Sequence, residues 1–161
     1  DAALHGGLYY AASDGSSNKR VASGQALNGV GLSPDGKTVY AAASYLRWIV
    51  AFEANPDVAK PISILGEAEI VADYTGRRFL DSLAMEADGT IAQAVVFDRP
   101  GVSRVMPRSG KEETIPFPDI LPTNIAFGGS DMCTAYVTLT TTGQLAKLTW
   151  PAPGMRLPFN C

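Results

Sequence analysis

Short apolar runs alternate with turn sequences along this chain, and no stretch shows the wider spacing of an amphipathic helix. The runs are bounded by Asp-Gly, Ser-Gly and Gly-Gly pairs, which favour tight turns. Three of the runs have a polar residue at the same distance ahead of them, namely Asn28, Asp81 and Thr123. These positions lie about 40 to 55 residues apart, which is the length of a propeller blade of about four strands. The pattern predicts an all-β chain that forms a β-propeller.

The repeat also predicts how the blades divide the chain. We expect successive blades at residues 27–80, 81–120 and 121–161, the last without its outer strand, and residues 1–26 as the outer strands of an interrupted blade. The chain then holds about three and a half blades. Because a propeller needs at least four blades to close, we expect that the chain does not complete a fold alone.

Residues 53–66 lengthen the first full blade. They contain Pro56 and Pro61, and we interpret them as a plain connection, with the rim of a binding site as the alternative. The proline-rich tail at residues 150–158 is predicted to pack along the edge of a blade.

Composition narrows the class of protein. Hydrophobic residues make up 46% of the chain and charged residues 18%, which favours an ordered core. The net charge of −3 is spread along the chain, so there is no basic surface for nucleic acid or an anionic membrane.

No run approaches the roughly 20 apolar residues of a membrane span, and no signal peptide is evident. We expect a soluble protein of unknown compartment, with the cytoplasm favoured, and an upstream segment lost before Asp1 by processing, proteolysis or truncation.

The chain has two cysteines, Cys133 and Cys161, and one histidine, His5. The thiols are either unpaired or joined in a bridge that ties down the C-terminal tail. Such a set argues against a zinc site of the nitrogen and sulfur type, and we expect no catalytic role for His5.

Four phrases together resemble a known family. They are NGVGLSPDGKTVY (residues 28–40), DSLAMEADG (81–89), PTNIAFGG (122–129) and TGQLAKLTWPAPG (142–154). In order and spacing they are similar to the C-terminal half of members of the SMP-30/gluconolactonase/luciferin-regenerating-enzyme family. The members of this family are six-bladed propeller lactonases.

The resemblance implies a divalent cation at the top of the central channel, with calcium expected and zinc or manganese as alternatives. It implies that Asn28 and Asp81 are metal ligands and that Asp81 is also the catalytic base, while a Glu and a second Asn come from a complementary N-terminal chain. Oxygen donors of these types suit calcium, and the cation would polarise the carbonyl of a sugar lactone or related cyclic ester. Asp81 would take a proton from the attacking water. For Thr123 we favour a structural role in the hydrogen bonding of the inner strand.

Two departures from the family pattern leave alternatives open. Ser82 stands where the family usually has Gly, and the sequence IAQA (residues 91–94) replaces a bulky aromatic pair. A propeller that binds a metal or another ligand without turnover is one alternative, and a related organophosphate or ester hydrolase is another. Two copies of this chain pairing as half-propellers is a third.

Overall fold

A computed structural model describes residues 6–24, 26–57 and 61–158. Fourteen strands occur in these ranges: β1 (Gly7–Ala11), β2 (Asn18–Ser23), β3 (Leu27–Leu32), β4 (Thr38–Ala43), β5 (Trp48–Glu53), β6 (Ile62–Ser63), β7 (Glu69–Asp73), β8 (Arg78–Met85), β9 (Ile91–Phe97), β10 (Gly101–Met106), β11 (Lys111–Pro116), β12 (Pro122–Gly128), β13 (Thr134–Leu139) and β14 (Gln144–Thr149). None of the described residues forms a helix that could cross a membrane.

The strands form four sheets, with the orders β1-β2-β6, β3-β4-β5-β7, β8-β9-β10-β11 and β12-β13-β14. The innermost strands β3, β8 and β12 of the last three sheets lie side by side, which is the arrangement of propeller blades around an axis. The all-β propeller prediction is confirmed. β8 begins at Arg78, so the predicted blade boundary at residue 81 falls inside this strand.

Part of residues 53–66 belongs to a sheet. β6 pairs in parallel with β2, with Ala22 opposite Ile62, and the Ser23 hydroxyl donates to the Ile62 carbonyl at 3.1 Å. Ile64, the residue after β6, is buried against Ala22. The prediction of a plain connection is therefore wrong for this part, because two isoleucines anchor it to the first sheet.

Apolar cores lie between neighbouring sheets. Alanines at the sheet centres let the blades pack closely, as at Ala22, Ala42 and Ala92, which are fully buried. The cluster between the second and third sheets is built around Ile49, Leu80 and other buried residues, among them Tyr74, Leu83, Met85, Ile91, Val95 and Val105. This core supports the inner strand β8 from behind.

A buried ion pair within the third sheet is hydrogen-bonded to the residue that follows the fourth. The Arg104 guanidinium donates to both oxygens of the fully buried Glu86 at 2.6 Å and to Glu113 at 2.9 Å, and the Trp150 indole donates to Glu86 at 2.8 Å. Glu86 also bridges to Gly154 in the tail. The tail therefore connects the last sheet to the end of β8.

Whether Cys133 and Cys161 are unpaired or joined in a bridge stays a prediction. Cys133 forms no disulfide with a described residue. Cys161 and His5 lie outside the described residues.

Candidate functional site

Each of the three inner strands contains a β-bulge at the repeat position. The register of β3 shifts between Leu27 and Val30, that of β8 between Leu80 and Leu83, and that of β12 between Pro122 and Asn124. Asn28, Asp81 and Thr123 therefore all lie in bulges. A bulge adds one residue to its strand and turns that side chain away from the regular alternation, which is common beside active sites.

Gly29 allows two of these bulges to approach each other. A Cβ atom at Gly29 would lie 2.6 Å from the backbone nitrogen of Leu83 and 2.9 Å from the carbonyl oxygen of Asp81. Asn-Gly is a common turn dipeptide, but here it lies inside β3. Glycine is needed at this point because the backbone of β8 occupies the space of a side chain.

Asn28 and Asp81 line one cleft of about 340 Å³ between the second and third sheets. The turn that follows β4 closes one side, and the Ser44 hydroxyl ties this turn to the Leu80 carbonyl at 2.5 Å. Asn28 is exposed and Asp81 half-buried, and neither side chain has a hydrogen-bond partner among the described residues. Both side-chain oxygens are therefore available to a ligand on this side of the cleft.

Gln93 on β9 holds the bulge that contains Asp81. This side chain is fully buried, and its Nε2 donates to the carbonyl oxygens of Asp81 at 2.9 Å, Ser82 at 3.2 Å and Ala94 at 2.8 Å. Its Oε1 is buried with no partner within the described ranges. Sequence reasoning missed this role, although a signal existed: Gln93 is the one polar residue in the strand IAQAVVF.

Thr123 has a different environment from Asn28 and Asp81. Its hydroxyl lies 3.0 Å from that of Thr138 and 2.8 Å from that of Thr140. The prediction of a structural hydrogen bond is confirmed for this residue. The neighbouring Asn124 accepts from the backbone amide of Ile125 at 2.8 Å.

Asp119 fixes the loop that leads into β12. Burial raises the pKa of this carboxyl, but hydrogen bonds from the Leu121 amide, from the Thr142 hydroxyl and amide, and from Thr141 outweigh it and hold the pKa below its ordinary value. Asp119 is thus an anchor of loop structure on the side of the sheets where β12 begins.

The donor set fits a hard cation in part. Asn28 offers an amide oxygen and Asp81 a carboxylate, which are the groups calcium prefers, but calcium takes six to eight oxygen ligands. Within the described part of the chain, no three His, Cys, Asp or Glu side chains come together as a metal site. A cation held by Asn28 and Asp81 would need further ligands from outside these residues.

The fold is similar to several solved structures. Regucalcin from Agrobacterium tumefaciens, a calcium-binding protein, matches with a TM-score of 0.79 and 22% identity over 99% of this chain and 57% of its own. A luciferin-regenerating enzyme matches with a TM-score of 0.78 and 20% identity over 94% of this chain and 54% of its own. A gluconolactonase from Xanthomonas campestris matches with a TM-score of 0.69 and 21% identity over 90% of this chain and 44% of its own.

The chain thus spans about half the length of these proteins. No curated protein gives a significant match to the sequence. A family model described as the SMP-30/Gluconolactonase/LRE-like region matches residues 1–141. Since this match covers most of the chain, the chain belongs to the SMP-30/gluconolactonase/LRE-like family.

Proposed function

We propose that this chain is part of a metal-dependent hydrolase of the lactonase type, in which Asp81 is the general base and Asn28 and Asp81 bind the cation. The observation that carries the proposal is the shared cleft, which brings together two repeat positions far apart in sequence. The regucalcin match and the gluconolactonase match support a calcium site and a lactone substrate respectively.

The chemistry assigned to the chain's own residues is proton transfer at Asp81. A carboxylate oxygen takes a proton from water as the water oxygen bonds to the lactone carbonyl carbon. The ring carbon–oxygen bond then breaks, and the departing alkoxide receives a proton, so that lactone and water give a hydroxy acid. A bound divalent cation, with calcium expected, would supply charge stabilisation at the carbonyl oxygen. Gln93 keeps the Asp81 bulge in place during this transfer.

The proposed partner is the complementary N-terminal part of the same propeller. Within the described residues, β1 pairs with β2 along one edge and with no strand along the other. Exposed apolar side chains of β1 and β3 line one cavity beside this edge: Tyr9 is 58% exposed, Val30 49% and Leu32 46%. A free strand edge beside apolar surface is a site for strand addition, and missing inner strands of the first blade would cover it.

Native mass spectrometry of the purified sample tests the partner. We expect a second polypeptide or segment in a one-to-one complex with this chain. A well-folded monomer of this chain alone would contradict the two-piece proposal, and a symmetric cross-linking pattern would indicate two copies of the chain instead.

Lactone opening by the assembled protein, followed with a pH indicator in the presence of calcium, zinc or manganese, tests the reaction. Asp81→Asn should lower the rate about 100-fold or more, since general base catalysis contributes roughly 10² to 10⁴. Asp88→Asn is the matched control, because Asp88 caps a turn by accepting from the Thr90 amide at 2.9 Å.

An unchanged rate in the Asp81→Asn variant would refute the assignment of the base. Metal binding without turnover on any lactone or ester would indicate a non-catalytic binding propeller. Turnover of organophosphates or simple esters, but not of lactones, would support the site and refute the lactone as its substrate.

A further inference from the structure

Three aromatic rings line the same cleft as Asn28 and Asp81. We call Tyr45, Phe79 and Phe97 the aromatic wall. The rings of Tyr45 and Phe79 meet edge to face with centroids 6.3 Å apart, and those of Phe79 and Phe97 with centroids 5.8 Å apart. The wall comes from three separate segments, so the fold alone brings it together.

Phe97 adopts a backbone conformation that a bulky residue rarely adopts. Its φ is 71°, in the left-handed region, and its amide donates to the Ile120 carbonyl at 2.9 Å. The residue is nevertheless 40% exposed, so burial does not account for the large side chain at this position. Strained residues of this kind concentrate at ligand sites.

Neighbouring loops hold Phe97 in place. The Arg77 guanidinium lies 5.8 Å from the centroid of the Phe97 ring, which is within reach of a cation–π contact. The carboxylate of Asp98, the next residue after Phe97, accepts from the Arg77 amide at 3.0 Å. The Phe97 ring in the lining of the cleft is therefore set in position before any ligand arrives.

We propose that the aromatic wall is a binding subsite for a planar apolar ring, and that the ligand is a lactone fused to or bearing an aromatic ring. The reaction at this ligand rests on the function proposed above, whereas the binding does not. The described lining of the cleft has few polar side chains besides Asn28 and Asp81, and the Ser44 hydroxyl is already bonded to Leu80. A polyhydroxylated sugar lactone needs a partner for each hydroxyl that binding buries, whereas an aromatic ring packs edge to face without one.

The cleft volume also suits such a ligand. At about 340 Å³ it lies within the roughly 300 to 1,000 Å³ of small-molecule sites. An aromatic ring against the wall would place a fused lactone ring toward the bulges that contain Asn28 and Asp81.

Binding is tested with dihydroquinolinone, the lactam analogue of a fused aryl lactone, titrated into the assembled protein and followed by the amide NMR shifts of this chain. Valerolactam, which has no aromatic ring, is the matched probe. The Phe97→Gly variant removes the ring, and glycine adopts the positive φ at this position without strain. We expect its Kd for dihydroquinolinone to rise about two- to tenfold, the effect of one aromatic pair, with no change for valerolactam.

Tyr136→Ala is the control variant, because Tyr136 lies on β13 and not in the cleft. An equal Kd in the Phe97→Gly variant and the unmodified chain would overturn the proposal. Absence of dihydroquinolinone binding, or shifts confined to the apolar cavity lined by Tyr9 and Tyr10, would also overturn it.

Kinetics separate this proposal from the proposed function. Asp81→Asn should lower the rate of dihydrocoumarin opening about 100-fold or more, and it should change the Kd for the lactam less than Phe97→Gly does. Binding that depends on Phe97 without opening of any lactone would support the subsite and refute the lactonase. Opening of gluconolactone and dihydrocoumarin with equal efficiency, unaffected by Phe97→Gly, would support the lactonase and refute the subsite.

Discussion

The close approach of β3 to β8 makes Gly29→Ala an informative substitution. The added Cβ would lie 2.6 Å from the Leu83 nitrogen, and ordinary contact requires about 3.4 Å. The obstructing atoms are backbone atoms of the Asp81 bulge, so one strand has to move away from the other. Because cores are densely packed, that movement extends to the neighbouring side chains.

Gly31→Ala is a matched control in the same strand. Its Cβ would lie 2.9 Å from Leu83 Cδ1 and 2.9 Å from Met85 Cγ, which are atoms of flexible side chains. Overpacking costs about 1 to 3 kcal/mol, and the lower entropy of alanine in the unfolded chain offsets about 0.4 to 1 kcal/mol. We therefore expect Gly29→Ala to lower the free energy of unfolding by about 2 kcal/mol and Gly31→Ala by less than about 1 kcal/mol.

Urea unfolding measures the free energies, and about 2 kcal/mol corresponds to a fall in Tm of roughly 4 to 8 °C for a chain of this size. Amide NMR shifts of residues 81–83 report the displacement of the bulge. Equal stability of the two variants, or unchanged shifts at Asp81 in Gly29→Ala, would refute the argument that the approach of β3 fixes the site.

Three further predictions concern the supports of the site. Gln93→Leu leaves the bulge carbonyls without their donor and should lower the free energy of unfolding in urea by about 1 to 3 kcal/mol. The amides of residues 81–83 should also exchange faster, and exchange as slow as in the unmodified chain would exclude the support role. Glu86→Gln leaves the buried Arg104 charge without its main partner and should lower the free energy of unfolding by about 3 kcal/mol. Glu113→Gln, at a side chain that is 56% exposed, should lower it by less than about 1 kcal/mol. Equal losses in the two variants would contradict the buried-pair argument. Because the pKa of Asp119 is lowered on folding, its contribution to stability is complete above its ordinary pKa of 3.8 and is lost as the pH falls below that value. As the pH is lowered from 4, the free energy of unfolding should therefore fall less in the Asp119→Asn variant than in the unmodified chain. The same fall in both proteins would contradict this.

The fold could be predicted because its signals are local. Short apolar runs, turn pairs and a repeat of blade length are all visible without knowledge of the packing. β6 was missed since Pro56 and Pro61 suggest a loop, while pairing of Ile62 with β2 depends on a strand some 40 residues earlier in the chain. Sequence alone contains no sign of such a distant parallel pair.

The site could be predicted only in part. The repeat register places Asn28 and Asp81 at equivalent positions, and the structure brings both to one cleft. Gln93 stands out as the one polar residue of its strand, but its partners could not be predicted, because they are carbonyl groups that only the bulge leaves without ladder partners. The aromatic wall was missed for a similar reason, since its three rings lie on separate segments.

The bulge by itself does not make a repeat position functional. In the last sheet, the hydroxyls of Thr138 and Thr140 bond to the Thr123 side chain, which is thereby used in structure. In the third sheet, Gln93 bonds to the carbonyl oxygens of the bulge and leaves the Asp81 carboxylate without a described partner. The two bulges differ in which group the adjacent strand hydrogen-bonds: the backbone carbonyls in the third sheet and the side chain in the last. An acidic residue placed at position 123 would therefore face two hydroxyl donors and be held as a structural group, so only the first two repeat positions offer free oxygens to a ligand.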